Sequence, residues 1–162
     1  MTCYLISGAT GFVGTNFLLN LTSEDQFRVL SRNPASAAKH CKSLDCSAEF
    51  LGAVEWEPTD GNPPPQAFDT IGTLVNFSGE SVAAGRWTES KKKRIYNSRV
   101  KGTQNLTNFL LQGSHNINTF MSCSAVGYYG FSGDDELTEL SAPGSDFLST
   151  VVQAWEAPLT DL

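Results

Sequence analysis

The residues best suited to chemistry stand near the start of the chain, where Gly8, Gly11 and Gly14 recur at every third position. An apolar run, Tyr4-Leu5-Ile6, precedes them, and Phe12, Leu18, Leu19 and Leu21 follow at the spacing of a helix face. The pattern therefore reads as strand, turn, helix, the context that gives a glycine triplet meaning. Gly8 permits a tight turn and Gly11 lets a phosphate approach bare backbone. Gly14 allows the helix to pack closely on the strand, so that its first N–H groups point at a pyrophosphate. The competing reading is a tight turn with no ligand. The helix pattern directly behind the triplet favours the nucleotide.

A second stretch bears on which nucleotide. Phe27 to Ser31 reads as a second strand, ending at Ser31-Arg32-Asn33-Pro34. In a dinucleotide fold this strand end meets the adenosine ribose, where an acid binds the 2′-hydroxyl and an Arg suits a 2′-phosphate. Ser31 and Arg32 stand there without a carboxylate, so NADP(H) is expected ahead of NAD(H). The alternative is that Arg32 is a solvated residue opening a loop.

Several elements must position these groups. Ala35 to Leu44 has a weak helical pattern, and Ala53 to Trp56 reads as a short third strand before the turn-rich, proline-rich stretch Pro58 to Pro65. Thr70 to Phe77 reads as a buried fourth strand leading into Ser78-Gly79-Glu80-Ser81, small residues where ligands pass in parallel sheets. The longest helical pattern runs from Thr88 to Leu111, and its basic run, Lys91 to Arg94, reads as a solvated face rather than a phosphate site. Asn118 to Ser124 reads as a fifth strand with a hydroxyl-rich end, followed by Tyr128-Tyr129-Gly130. A last helix follows Ser145, the expected N-cap. Strands alternating with helices predict an α/β fold, a doubly wound parallel sheet, in one domain.

Composition narrows the function classes. The net charge is −6, and all 11 Lys and Arg lie at or before Lys101. An acidic chain whose basic run lacks aromatic neighbours argues against nucleic acid. No apolar run approaches the ~20 residues of a membrane span, and no signal peptide is expected. Cys3, Cys41, Cys46 and Cys123 have no zinc-like or CxxC spacing, so no metal site is expected and a cytoplasmic setting with reduced thiols fits. The one-sided charge reads as an acidic segment, or as the trace of a basic partner segment outside this sequence.

Taken in order, several motifs resemble the extended or atypical short-chain dehydrogenases/reductases of the NAD(P)-dependent nucleoside-diphosphate-sugar epimerase/dehydratase superfamily. Within it they resemble the "epimerase family protein", cell-division-inhibitor-like branch. The matching stretches are Gly8-Ala9-Thr10-Gly11-Phe12-Val13-Gly14, Val75-Asn76-Phe77-Ser78-Gly79-Glu80-Ser81, Gly85-Arg86-Trp87-Thr88 and Ser98-Arg99-Val100-Lys101-Gly102-Thr103. Further on stand Ser122-Cys123-Ser124-Ala125-Val126-Gly127-Tyr128-Tyr129-Gly130, Leu137-Thr138-Glu139 and Pro143-Gly144-Ser145-Asp146-Phe147-Leu148.

The resemblance implies a Rossmann-like sheet forming the N-terminal half of an extended short-chain dehydrogenase. It implies that Gly8, Gly11 and Gly14 hold the pyrophosphate, with backbone contacts from Thr10, Phe12 and Val13, and that Arg32 meets the 2′-phosphate. Asn76, Ser78 and Gly79 would line the nicotinamide-ribose side, and Arg99 would hold an anionic substrate or a cofactor phosphate. Ser124 matches the catalytic Ser/Thr, which can orient a carbonyl or carbinol beside the nicotinamide, and could instead be a strand-end hydroxyl bonded to backbone.

Two departures qualify this. The Tyr-x-x-x-Lys proton-transfer pair is absent, with Val151-Val152-Gln153-Ala154-Trp155 in the expected slot, and Tyr128 or Tyr129 is left as the candidate acid. Family members also run to about twice this length, with a substrate lobe in the second half. The expectation is thus one nucleotide-binding domain over residues 1–162 without that lobe, prone to self-association through an uncovered sheet edge. Its action would be hydride transfer on a sugar-nucleotide-like or other small carbonyl/carbinol substrate, the alternative being a non-catalytic NADP(H) sensor.

Overall fold

A computed structural model describes residues 1–113 and 115–162, with residue 161 described by its backbone alone. Five parallel strands, β1 (Cys3–Ser7), β2 (Gln26–Ser31), β3 (Glu49–Glu55), β4 (Thr73–Asn76) and β5 (Thr119–Ser122), form a sheet in the order β3-β2-β1-β4-β5. Four α-helices connect or follow them: α1 (Phe12–Leu19), α2 (Pro34–Ser43), α3 (Glu89–Leu111) and α4 (Phe147–Glu156). Short 3-10 turns occupy Pro65–Phe68, Val126–Tyr129 and Ala157–Asp161. From β1 the chain winds out to β3, then returns to the other side of β1 at β4. The strand order reverses there and opens a crevice at the strands' C-terminal ends.

Both faces of the sheet are covered, which is why its central strands read as near-continuous apolar runs. Side chains alternate across it. Ile6, Val29 and Val75 pack with Leu18 of α1 and with Ala37 and Cys41 of α2. Leu5, Leu30 and Leu74 pack with Leu106, Phe109 and Leu110 of α3. The Phe68 and Phe109 rings stack at 4.0 Å between centroids. Helix α4 lies on α3 beyond this second core. Burial pushes the Cys41 thiol up to about 11, with Cys46 adding to the effect, so it sits in the core as an inert thiol.

Several boundaries differ from the sequence reading for identifiable reasons. Phe12 is 87% exposed and Leu19 is also exposed. Gly14 and Leu18 are the buried positions of α1 and Leu21 lies beyond the helix, so the expected single face does not form. Strand β3 begins at Glu49, because a register shift between Phe27 and Arg28 lets Gly52, at φ 137°, continue the ladder. Strand β4 begins only at Thr73, since Thr70 turns at φ 68°. Cys123 follows β5 instead of lying within it. The N-cap of α4 is Asp146, whose carboxylate accepts from the Ser149 amide at 2.9 Å; Ser145 lies one residue outside.

Candidate functional site

The crevice is built first by close backbone packing. Gly8 sits at φ 78°, and a Cβ there would fall 2.6 Å from the Phe77 carbonyl carbon at the end of β4. A Cβ on Gly14 would press into the Gly8 carbonyl oxygen and lie 2.7 Å from the Ala9 Cα. Between them Gly11 is the N-cap of α1 and has no side chain to satisfy the helix's first amides. Those of Phe12, Val13 and Gly14 therefore lack intrahelical partners, an arrangement that suits an anion at the helix N-terminus. Thr10, Phe12 and Val13 are exposed around this turn.

A groove of about 340 Å³ runs over the turn. Its floor and one wall include Gly8, Thr10 and Gly11, its far end Ser31 and Arg32, and its opposite lip Ser78 and Gly79. The volume falls in the range of small-molecule clefts. Arg32 is exposed, and the Ser31 hydroxyl accepts from the Asn33 amide at 3.1 Å, fixing the β2 end as it turns into α2.

Asn76 lies at the end of β4 but does not itself reach the groove surface. It is 1% exposed, donates from Nδ2 to Thr103 of α3 at 3.1 Å, and accepts the Ser78 hydroxyl at 2.6 Å and the Ser78 amide at 3.2 Å. Its structural effect is to hold Ser78 at the lip. Just beyond, Arg99 donates to the Glu80 carbonyl at 2.9 Å, its guanidinium 5.4 Å from the Trp155 ring centroid. A Cβ on Gly79 would lie 2.9 Å from the Arg99 guanidinium carbon. Burial lowers the Arg99 pKa, opposed by the Glu80 charge, yet a guanidinium stays charged.

The basic run on α3 is not uniformly solvated. Lys91 is buried, and its Nζ pairs with Glu80 Oε1 at 2.7 Å, while Arg94 approaches the same oxygen at 3.5 Å. Periodicity could have exposed this, since Lys91 and Ile95 lie four apart and face the same way. The Glu80 amide donates to Ser98 Oγ at 2.9 Å. Glu80 thus ties the loop after β4 to α3 through both backbone and side chain.

Ser124 and Tyr129 lie past the end of β5. Ser124 is exposed, and its hydroxyl donates to Glu156 Oε1 at the end of α4. Tyr129 packs edge-on against Tyr128, with ring centroids 5.2 Å apart. The buried Ser149 hydroxyl reaches both the Tyr128 and Gly144 carbonyl oxygens at 2.7 Å, pinning the Tyr128–Tyr129 turn to α4. The structure thus gathers Gly8, Gly11, Arg32, Ser78 and Gly79 around one groove, with Asn76 and Arg99 behind its lip. Ser124 and Tyr129 lie outside the residues that line it. Sequence reasoning gave no role to Ser149, which nothing in the local pattern marks, or to Glu156, whose partner lies 32 residues away.

A parallel sheet with this strand order and a glycine turn at its reversal defines a dinucleotide-binding, Rossmann-like fold. Residues 4–150 match the model of the NAD dependent epimerase/dehydratase family, and the chain belongs to that family. An epimerase family protein of Bacillus subtilis is 31% identical over 153 residues, covering 93% of this chain and 47% of the relative. One from Mycobacterium leprae is 28% identical over 153 residues, covering 93% and 45%. The chain spans a little under half the length of these relatives. The nucleoside-diphosphate sugar epimerase of Corynebacterium glutamicum superposes with a TM-score of 0.69 at 32% identity, covering 99% of this chain and 31% of that one. UDP-glucuronic acid 4-epimerase of Bacillus cereus, solved with UDP-glucuronic acid and NAD, shares the fold at a TM-score of 0.76 and 15% identity, covering 99% and 52%.

The Glu80 contacts predict a pH signature. The Lys91 hydrogen bond holds the Glu80 carboxyl below the usual carboxylate range against the opposing effect of burial. A depressed folded-state value stabilises the protein above the ordinary Glu pKa of about 4.3, and that stability is lost as pH falls through the lowered value. Thermal melts from about pH 7 to about pH 3 should show Glu80→Gln converging on the parent as the acid limit is approached. A constant gap between the two across that range would show that the ion pair contributes nothing.

Proposed function

We propose that residues 1–162 form an NADP(H)-binding domain of an oxidoreductase or epimerase, acting on a sugar-nucleotide-like or other small carbonyl/carbinol substrate. The observation that carries this is the groove over Gly8 and Gly11, with Arg32 and no acid on β2 at that end. Glu57, which lines the same end from just past β3, is engaged by the Thr59 amide and hydroxyl. The glycine turn suits a pyrophosphate, because a Cβ at Gly8 or Gly14 would strike backbone and displace the turn that offers its amides. In this reading the amides at the start of α1 hold the pyrophosphate and Arg32 pairs with the 2′-phosphate. Ser78, fixed by Asn76, and Gly79 border the nicotinamide ribose. Arg99 adds positive charge behind that lip, and Ser124 or Tyr129 orients the reacting oxygen. When bound, the nicotinamide supplies or accepts hydride.

A second reading, a non-catalytic NADP(H) sensor, is favoured by the absence of Tyr-x-x-x-Lys from the sequence. Ser124→Ala separates the two, since an enzyme loses turnover with little change in cofactor affinity and a sensor changes in neither. The outer edge of β5, with Met121 41% exposed, also supports self-association through that strand. Light scattering that finds a stable monomer at high concentration would remove this part of the proposal.

The cofactor assignment is tested by fluorescence titration with NADPH and NADH. NADPH should bind more tightly, and Arg32→Ala should weaken it by about tenfold, the worth of one charge-assisted contact, while leaving NADH unchanged. Equal losses for both nucleotides, or tighter NADH binding by the parent, would overturn the 2′-phosphate role of Arg32.

A further inference from the structure

The proton-handling pair expected of this family is missing from the sequence, yet the structure brings another pair together past the end of β5, beside the groove's lip. We propose that Glu156, acting through the Ser124 hydroxyl, gives and takes the proton in the chemistry of this site, a proposal that rests on the enzymatic reading above.

Two elements distant in sequence meet in this contact. Ser124 follows β5, and Glu156 is the last residue of α4. The sheet register sets Ser124 beside the groove's lip, outside the residues that line it. Asn76 pairs with Ser122, and the Cys123 amide donates to the Asn76 carbonyl at 3.2 Å. Ser124 therefore leaves the sheet on the side of the Phe77–Ser78 segment, and Ser78 lines the groove.

The contact has the polarity of a relay. A serine hydroxyl has one proton to give and two lone pairs. The proton points at Glu156 Oε1, so the lone pairs are left for a substrate hydroxyl, and Ser124 is exposed enough to receive one. Among the described residues no Lys, Arg or His pairs with the Glu156 carboxylate. On the facing helix α3, the Arg99 guanidinium lies over Trp155 and bonds to the Glu80 and Ile95 carbonyls instead. The phenols of Tyr128 and Tyr129 make no hydrogen bond to a Lys or Arg among the described residues.

The frame is rigid on both sides. Ser149 and Gln153 of α4 bond to the Gly144 carbonyl, and Ser149 also bonds to that of Tyr128. The turn after Ser124 is thus fixed to the helix that carries Glu156. Trp155, next to it in the last turn of α4, is buried.

In the oxidising direction, the substrate O–H proton passes to Ser124 Oγ as the Ser124 proton passes to Glu156 Oε1. The carbinol hydrogen leaves as hydride to an oxidised nicotinamide dinucleotide. The products are a carbonyl, the reduced dinucleotide and a neutral Glu156, which releases its proton to water. Reduction runs the same transfers in reverse and needs Glu156 protonated. Glu156 does not touch substrate. It acts through Ser124, which does.

The test uses the 162-residue protein, NADPH and phenanthrenequinone as a carbonyl probe, with NADPH affinity read separately by fluorescence. Glu156→Gln keeps an oxygen that accepts from Ser124 but cannot carry the proton, so turnover should fall on the order of 100-fold and NADPH affinity should hold. The rise of parent turnover toward acid pH should disappear in this variant. Glu156→Asp should recover part of the rate, and Ser124→Ala with Glu156→Gln should lose no more than either alone. A Glu156→Gln protein with parental rate and pH profile overturns the proposal, as does one that loses affinity as much as rate. NADPH binding without reduction of the probe by the parent overturns the proton role and leaves the cofactor reading intact. No NADPH binding by the parent overturns the cofactor reading itself.

Discussion

The structure depends on two backbones coming closer than any side chain would allow. Ser7 and Asn76 are register partners on β1 and β4, and the Phe77 amide continues the ladder to the Ser7 carbonyl at 2.9 Å. Immediately after, Gly8 turns against the Phe77–Ser78 peptide and α1 packs down on the turn through Gly14. This contact sets the distance between the turn and the Ser78–Gly79 lip, and so the width of the groove. It also aims the open end of α1 across that groove. A methyl group at either glycine would part the two walls, and everything downstream is arranged around their proximity.

The lip is held by polar groups more than by packing. Asn76 is buried, and burying an amide is costly unless its hydrogen bonds are made; both of its ends find partners, in Thr103 and Ser78. Glu80 then fastens the loop to α3 through Lys91, Ser98 and Arg99. Arg99 connects this loop to α4 through Trp155. One chain of contacts therefore runs from the glycine turn to the helix that holds Glu156. A polar network of this kind fixes geometry even where its net contribution to stability is small, although the buried Trp155 Nε1 at its end has no partner.

Much of the fold was legible because a parallel sheet buried on both faces leaves apolar runs, and because the glycine triplet punctuates the first crossover. Helix α2 showed only as a weak pattern from Ala35 to Leu44, because its Asn33 cap and Pro34 start read as the end of β2. Helix α3 was legible from Thr88, which caps it. The glycine turn, Arg32 and Ser78–Gly79 were found in sequence because each lies next to a strand end, where position implies exposure to the crevice. What escaped depends on contacts between distant segments. The Phe12 side chain faces away because Gly14, not Phe12, meets the strand. Lys91 is buried because Glu80 waits for it across the loop. Ser124 and Glu156 meet only once β5 and α4 have packed, and no local pattern records that meeting.

The central claim, that the groove between the glycine turn and the Ser78–Gly79 lip takes a dinucleotide, is tested most directly by amide NMR of the isotope-labelled protein titrated with NADPH. The account predicts shifts concentrated at Gly8 to Gly14, at Ser31 and Arg32, and at Ser78 and Gly79, with the amides of β3 and the outer face of α2 unmoved. Shifts confined to the N-terminal edge of the sheet around Thr2, Gln26 and Asn118, or no shifts at all, would contradict it.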